Sequence, residues 1–162
     1  MNQASIIAVE LAALYQRDLL RMQQEIAAFP DDAAVWQTVP GVSNSAGNLI
    51  LHLEGNLREY IGRQLGGAAF DRDRPREFAA KGLTREDLSA RVAALVVLLP
   101  PLIAALSPAD FARAYPLEVF GKPLSTSQFV IHLHGHFNWH LGQIDYLRRV
   151  LTGSGAIATA RI

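Results

Sequence analysis

Apolar residues recur at three- and four-residue intervals in four stretches of the 162-residue chain, the spacing of amphipathic helices rather than of strands. The first stretch runs roughly from Ala4 to Ala28, with Ile7, Leu11, Leu14, Met22 and Ile26 near one stripe and Glu10, Arg17, Arg21 and Glu25 interspersed. Phe29-Pro30-Asp31-Asp32 stops it, because the residue before a proline is driven out of the helical region. A second helix is predicted to begin in the turn Pro40-Gly41-Val42-Ser43-Asn44-Ser45, where Ser43 or Ser45 can accept a hydrogen bond from an orphan helix N–H. It continues to about Leu65, and Gly66-Gly67 ends it.

Between those glycines and Thr84, the alternating charges of Asp71, Arg72, Asp73, Arg74, Arg76 and Glu77 read as a solvated loop. Thr84 caps a third helix, with Glu86 and Asp87 at its positive end. Pro100-Pro101 is expected to bend or interrupt that helix, since each ring removes a donor, and Leu102 to Leu106 to continue as a tilted last segment. The connection from Ser107 to Leu124 holds one short extended candidate, Tyr115 to Phe120, expected to cover an end of the bundle. Ser125 and Gln128 have the spacing of a capping box and open a fourth helix that reaches about Leu151. Gly153 and the small-residue tail beyond it suggest no further element. The expected architecture is therefore all-α: a four-helix bundle over residues 1–153, with a long connection between the third and fourth helices and a C-terminal tail over 154–162.

Composition narrows the function classes. Half the residues are hydrophobic and 19% are charged, enough for one core that buries about 70% of the unfolded chain's surface. The 15 basic residues balance the 15 acidic ones, so the clustered positive charge of a nucleic-acid binder is missing. Glu10, Arg17 and Asp18 interrupt the N-terminal stretch before a membrane-length apolar run develops, so neither a signal peptide nor a span is expected there. There is no cysteine, which removes disulfides, thiolate metal sites and a protein thiol nucleophile and fits a reducing, cytoplasmic setting. Leu19 and Leu20, read as exposed on the first helix, suggest a homodimer.

The candidate chemistry lies in the five histidines, which fall on two predicted helices: His52 on the second, and His132, His134, His136 and His140 on the fourth. At about 100° per residue, His136 and His140 lie one turn apart on one face, which they share with the apolar positions Leu133, Phe137, Ile144 and Leu147. Imidazoles facing a core need partners. His52 sits among Leu49, Leu53, Leu57 and Ile61 and can face the fourth helix. Three neutral imidazoles from two packed helices can hold a divalent cation at about 2.0–2.1 Å and leave a position open for water or substrate. Zinc is the preferred ion and nickel the alternative, both suited to imidazole. The competing interpretation is of satisfied core histidines that merely hydrogen-bond backbone carbonyls. His134, rotated about 200° from His136, points elsewhere, and an ordinary boundary role fits His132. Glu54 is poorly placed to join His52. Asn48 and Asn56, one turn away, can orient an imidazole through its second nitrogen. Gln143 and Asp145 are assigned to helix packing and solvent.

The segment His136-Phe-Asn-Trp-His140-Leu-Gly-Gln-Ile-Asp-Tyr-Leu-Arg resembles the last-helix signature of the DinB/YfiT-like metal-binding superfamily, and Asn48-Leu-Ile-Leu-His52-Leu-Glu-Gly-Asn-Leu-Arg-Glu-Tyr its second-helix histidine motif. With the helix order, the resemblance spans roughly Met1 to Gly153. It implies a four-helix bundle holding a divalent metal through three histidines, which map here onto His52, His136 and His140. Characterised members of that superfamily include S-transferases and isomerases that use low-molecular-weight thiols such as mycothiol or bacillithiol. The resemblance thus implies a small-molecule substrate and a thiol S-transferase or related detoxifying activity. A metal-dependent hydrolase and a non-catalytic, metal-stabilised stress-associated bundle are the rival functions.

Overall fold

The computed structural model describes residues 6–158; the expected helix start at Ala4 and the last four residues of the tail lie outside them. Among the described residues the fold is all-α, but with six α-helices rather than four. Four are long: α1 (Ile6–Ala27), α2 (Ala46–Leu57), α4 (Arg85–Ala104) and α6 (Thr126–Thr152). Two are short: α3 (Arg74–Ala79) and α5 (Pro108–Ala112). The long helices close a ring of neighbours in which α1 and α2 each pack on both α4 and α6.

On α1 the buried positions follow the helical period, with Leu11, Tyr15, Leu19, Met22 and Ile26 inward; of the stripe expected from the sequence, Ile7 is instead exposed and Leu14 only partly buried. Leu19 is fully buried, so of the pair expected to support self-association only Leu20 reaches the surface. All twelve residues of α2 are buried, and Ser45 caps its start by accepting a hydrogen bond from the Asn48 N–H. The second helix does extend past Leu57, but as a π-helical turn over Arg58–Arg63. There Gln64 N–H donates to the Glu59 carbonyl and Leu65 N–H to that of Ile61, which skips the Tyr60 carbonyl; the Tyr115 hydroxyl donates to it at 2.7 Å.

Pro100 and Pro101 do not end α4, which runs through them to Ala104 without a separate last segment. They sit in its last two turns, and the carbonyls they orphan belong to Val96 and Val97, the latter on the solvent side. By length and composition α4 is the one helix among the described residues apolar enough to cross a membrane, yet Leu88, Val92, Leu95, Leu99 and Ile103 are packed in the core.

The connection to α6 contains α5, opened by a Ser107–Asp110 capping box, and a turn rather than a strand. Two isolated bridges, Ala114 to Ser125 and Val119 to Lys122, replace the extended segment expected over Tyr115 to Phe120. Phe120 and Gly121 both have positive φ, 59° and 67°, as a primed two-residue turn requires. At the start of α6 half of the expected capping box forms: Ser125 accepts from the Gln128 N–H.

The segment read as a solvated loop is the largest departure. Asp73 accepts from the Arg76 N–H and caps α3, with Pro75 in its first turn. The Asn48 side-chain amide donates to the carbonyls of Glu77, Phe78 and Ala80 at 3.1, 3.2 and 3.0 Å, fastening α3 to α2. That role displaces the one expected for Asn48, which touches no imidazole. At the far end of the bundle Arg148, 1% exposed, donates to Glu25, Asp145 and the Gly155 carbonyl, joining α6 to α1 and to the tail.

Candidate metal centre

The antiparallel contact of α2 with α6 brings His52, His136 and His140 together. One ring nitrogen from each lies within 4.8 Å of the other two. His52 and His136 approach through Nε2 at 3.4 Å, close to the roughly 3.3 Å edge of a tetrahedron with metal–nitrogen bonds of about 2.0–2.1 Å. Ring centroids are 4.6–5.3 Å apart and the three planes are nearly perpendicular, at 78°, 86° and 85°. Such rings meet as faces around a corner, and one nitrogen of each is near enough to the other two to share an ion. His52 is buried, whereas His136 and His140 are half-exposed, so the corner opens toward solvent along α6.

Electrostatics keep the two rings of α6 neutral. Burial, with smaller contributions from His140, His52, His132 and Arg72, pushes the His136 imidazole down to about 4. Burial also lowers His140, against the raising effect of its hydrogen bond to Gln143. Both are therefore unprotonated at neutral pH and have lone pairs to give.

The outer nitrogens show what orients the His52 and His140 rings. Burial raises the Glu77 carboxyl, but hydrogen bonds from His52 and Arg72 outweigh it and hold the group below its usual range. Glu77 is thus a carboxylate, 7% exposed, that accepts from His52 Nδ1–H at 2.9 Å. That bond fixes the tautomer whose Nε2 lone pair faces the corner. Arg72 forks onto the same carboxylate through Nε and Nη2, at 2.7 and 2.9 Å, and lies over the Tyr60 ring. His140 Nδ1–H donates to Gln143 Oε1 at 2.7 Å. His136 Nδ1 and Asn56 Oδ1 are both buried without a hydrogen-bond partner among the described residues. A buried donor without an acceptor is costly, and the His136 ring has no outer partner of the kind that holds the other two. Donor set and spacing fit a divalent ion.

Arg72, Glu77 and Gln143 were not read from the sequence as parts of this site. The first two stood in a stretch whose alternating charges suggested solvent. The signal for a helix there was Asp73 two residues before Pro75, a cap followed by a first-turn proline, with Phe70 and Phe78 flanking it. Gln143 is three residues past His140, one turn along α6. Glu54 keeps away from His52, as expected, pairing with Arg58 and Arg91. Asp145 pairs with Arg148 and Arg149, and the exposed His132 meets Phe120 edge-on and stacks on Phe129.

His134 points away from the corner to Asp18, at 3.0 Å. Burial raises the Asp18 carboxyl, but hydrogen bonds from His134, Arg17 and Asn138 outweigh that and hold it well below the usual carboxylate range. Its folded pKa lies below the unfolded value of about 3.9. Its stabilisation is therefore complete above that value and is lost as pH falls through the folded pKa. Asp18→Asn is expected to lower the urea midpoint at pH 7, with the gap from the parent narrowing at about pH 3. A gap of equal size at both pH values would contradict this.

An all-helical bundle with a three-imidazole corner between its second and last long helices defines a class: helical bundles equipped to bind a divalent metal through histidine. The chain belongs to the DUF1572 family, described as proteins of unknown function, which matches residues 10–158 and falls within the DinB/YfiT-like superfamily, with its metal-binding four-helix-bundle members. Among solved structures, the chain is similar to a DinB-like protein from Bacillus cereus, with a TM-score of 0.71 and 15% sequence identity. The match covers 99% of this chain and 100% of that one; at that identity it speaks for the fold. No curated protein matches the sequence.

Proposed function

We propose that the protein is a divalent-metal-dependent enzyme that joins a low-molecular-weight thiol to a small electrophile, with His52, His136 and His140 as the metal ligands and zinc preferred over nickel. The observation that supports this reading most is the convergence of three imidazoles at a corner open on one side, in a chain with no cysteine of its own. A divalent ion there supplies the Lewis acidity that lowers a thiol's pKa. The chain's own residues do the rest. Glu77, backed by Arg72, holds the His52 ring in one tautomer, and Gln143 does the same for His140. The half-exposed side of the corner admits the thiol, while the leucines of α2 close the opposite side to water.

Cobalt-substituted protein tests the reading through its absorption spectrum. Adding a low-molecular-weight thiol such as bacillithiol or glutathione is expected to produce a sulfur-to-cobalt charge-transfer band, and zinc-loaded protein to consume thiol and electrophile in equal amounts. If no band forms and esters or amides are hydrolysed instead, water is the nucleophile and the transferase reading fails. Metal removal that melts the fold, with neither reaction restored on reloading, would mark the ion as structural.

A further inference from the structure

A groove of about 420 Å³ runs between the turn that precedes α2 and the C-terminal half of α6, within the roughly 300–1,000 Å³ range of small-molecule sites. Val42 and Leu49 form one wall, and Tyr146, Leu147 and Val150 the other. Gln143 also lines it, the residue whose amide holds His140. None of the three histidines lines the groove, but on both helices it begins about one turn from the corner. Leu49 lies three residues before His52 on α2 and Gln143 three residues past His140 on α6, each about 5 Å along its axis. Val150, ten residues past His140, puts the far end roughly 15 Å away. A cavity of about 500 Å³ beside α3 likewise has none of the three histidines in its wall; it does have Glu77, but charged side chains such as Asp71, Arg76, Lys81 and Arg91 line it.

We infer that this groove binds an apolar arm of the substrate, a chain of up to about eight carbons, whose polar head reaches the histidine corner. The inference rests on the metal reading for the head and on the groove alone for the arm. Five aliphatic side chains, Val39 among them, remove water from the arm, and the exposed Val42 and Val150 at the rim are the part of the wall that substrate would cover. The substrate class is thus a small molecule with a metal-seeking head and a hydrocarbon tail. A compact polar metabolite would leave the groove empty.

Two hydroxamates, acetyl and octanoyl, share a metal-binding head and differ in the arm. On zinc-loaded protein the octanoyl probe is expected to bind on the order of 100-fold more tightly. The rim variants Val42→Asp and Val150→Asp are expected to cut that advantage to within about threefold, while the acetyl probe, too short to pass Gln143, binds them and the parent alike. Equal affinity of the two probes for the parent, or an advantage that survives both variants, overturns the inference. In metal-free protein, octanohydroxamate is expected to shift the methyl resonances of Val42, Leu49 and Leu147. Absence of those shifts overturns the groove assignment whatever the metal does, whereas shifts without zinc binding uphold the groove and sink the metal reading.

Discussion

His136→Ala protein is expected to bind zinc at least about 100-fold more weakly than the parent, more than the usual cost of losing an outer-shell partner, while keeping its helix content. Two imidazoles from one helix pair cannot replace three that meet around a corner, and no neighbouring carboxylate is placed to substitute, since Glu77 is committed to His52 and Arg72. The fold should tolerate the change. Alanine favours helix, and the substitution removes a buried nitrogen that has no partner. Metal-free His136→Ala should therefore melt no lower than the metal-free parent, and the two should part only when zinc is added, when the parent alone gains stability. Chelator-competition titrations and thermal melts with and without zinc read both effects. A variant that binds zinc like the parent, or unfolds without it, would contradict the assignment.

Glu77→Ala is expected to weaken zinc binding by about 10- to 100-fold and also to destabilise the metal-free protein, by about 2–4 kcal/mol. The two losses have one origin: the carboxylate anchors His52 Nδ1 and is the partner of a largely buried guanidinium. Removing it frees the imidazole to rotate and leaves Arg72 without its counter-charge. Gly55→Ala provides an independent route to the same state. A Cβ there would come within 2.1 Å of Glu77 Oε1, so the carboxylate must move although no functional group has been altered. Both variants should lower zinc affinity and the urea midpoint together. Glu77→Gln, with the shape but not the charge, should fall between them and the parent. Zinc affinity that stays at the parental value in both Glu77→Ala and Gly55→Ala would remove α3 from the centre.

The parts of this picture legible in the sequence are those that depend on one helix at a time. The inward stripe of α1, the Ser45 and Thr84 caps, the Gly153 stop and the one-turn spacing of His136 and His140 follow from local periodicity and end chemistry. So does the pairing of these two with His52, once two apolar faces must pack. What escaped depends on tertiary context. Charges that alternate along 71–77 look solvated, yet Arg72 and Glu77 neutralise each other and are covered by the interface of α3 with α2. The prolines of α4 signal a break, but near a helix end they cost only bonds that water can replace. Leu19 looked exposed next to Leu20 because a helix of mixed polarity blurs its own boundary, and the packing of α1 on α4 decides which of the two turns in.

The central claim is that three imidazoles share one ion. Zinc-edge X-ray absorption on the purified, zinc-loaded protein measures this directly. The account predicts one zinc per chain, with three imidazole nitrogens at about 2.0–2.1 Å and at least one further light-atom ligand that a thiol replaces with sulfur. A spectrum with fewer than three imidazoles, or one unchanged in His136→Ala, would contradict it.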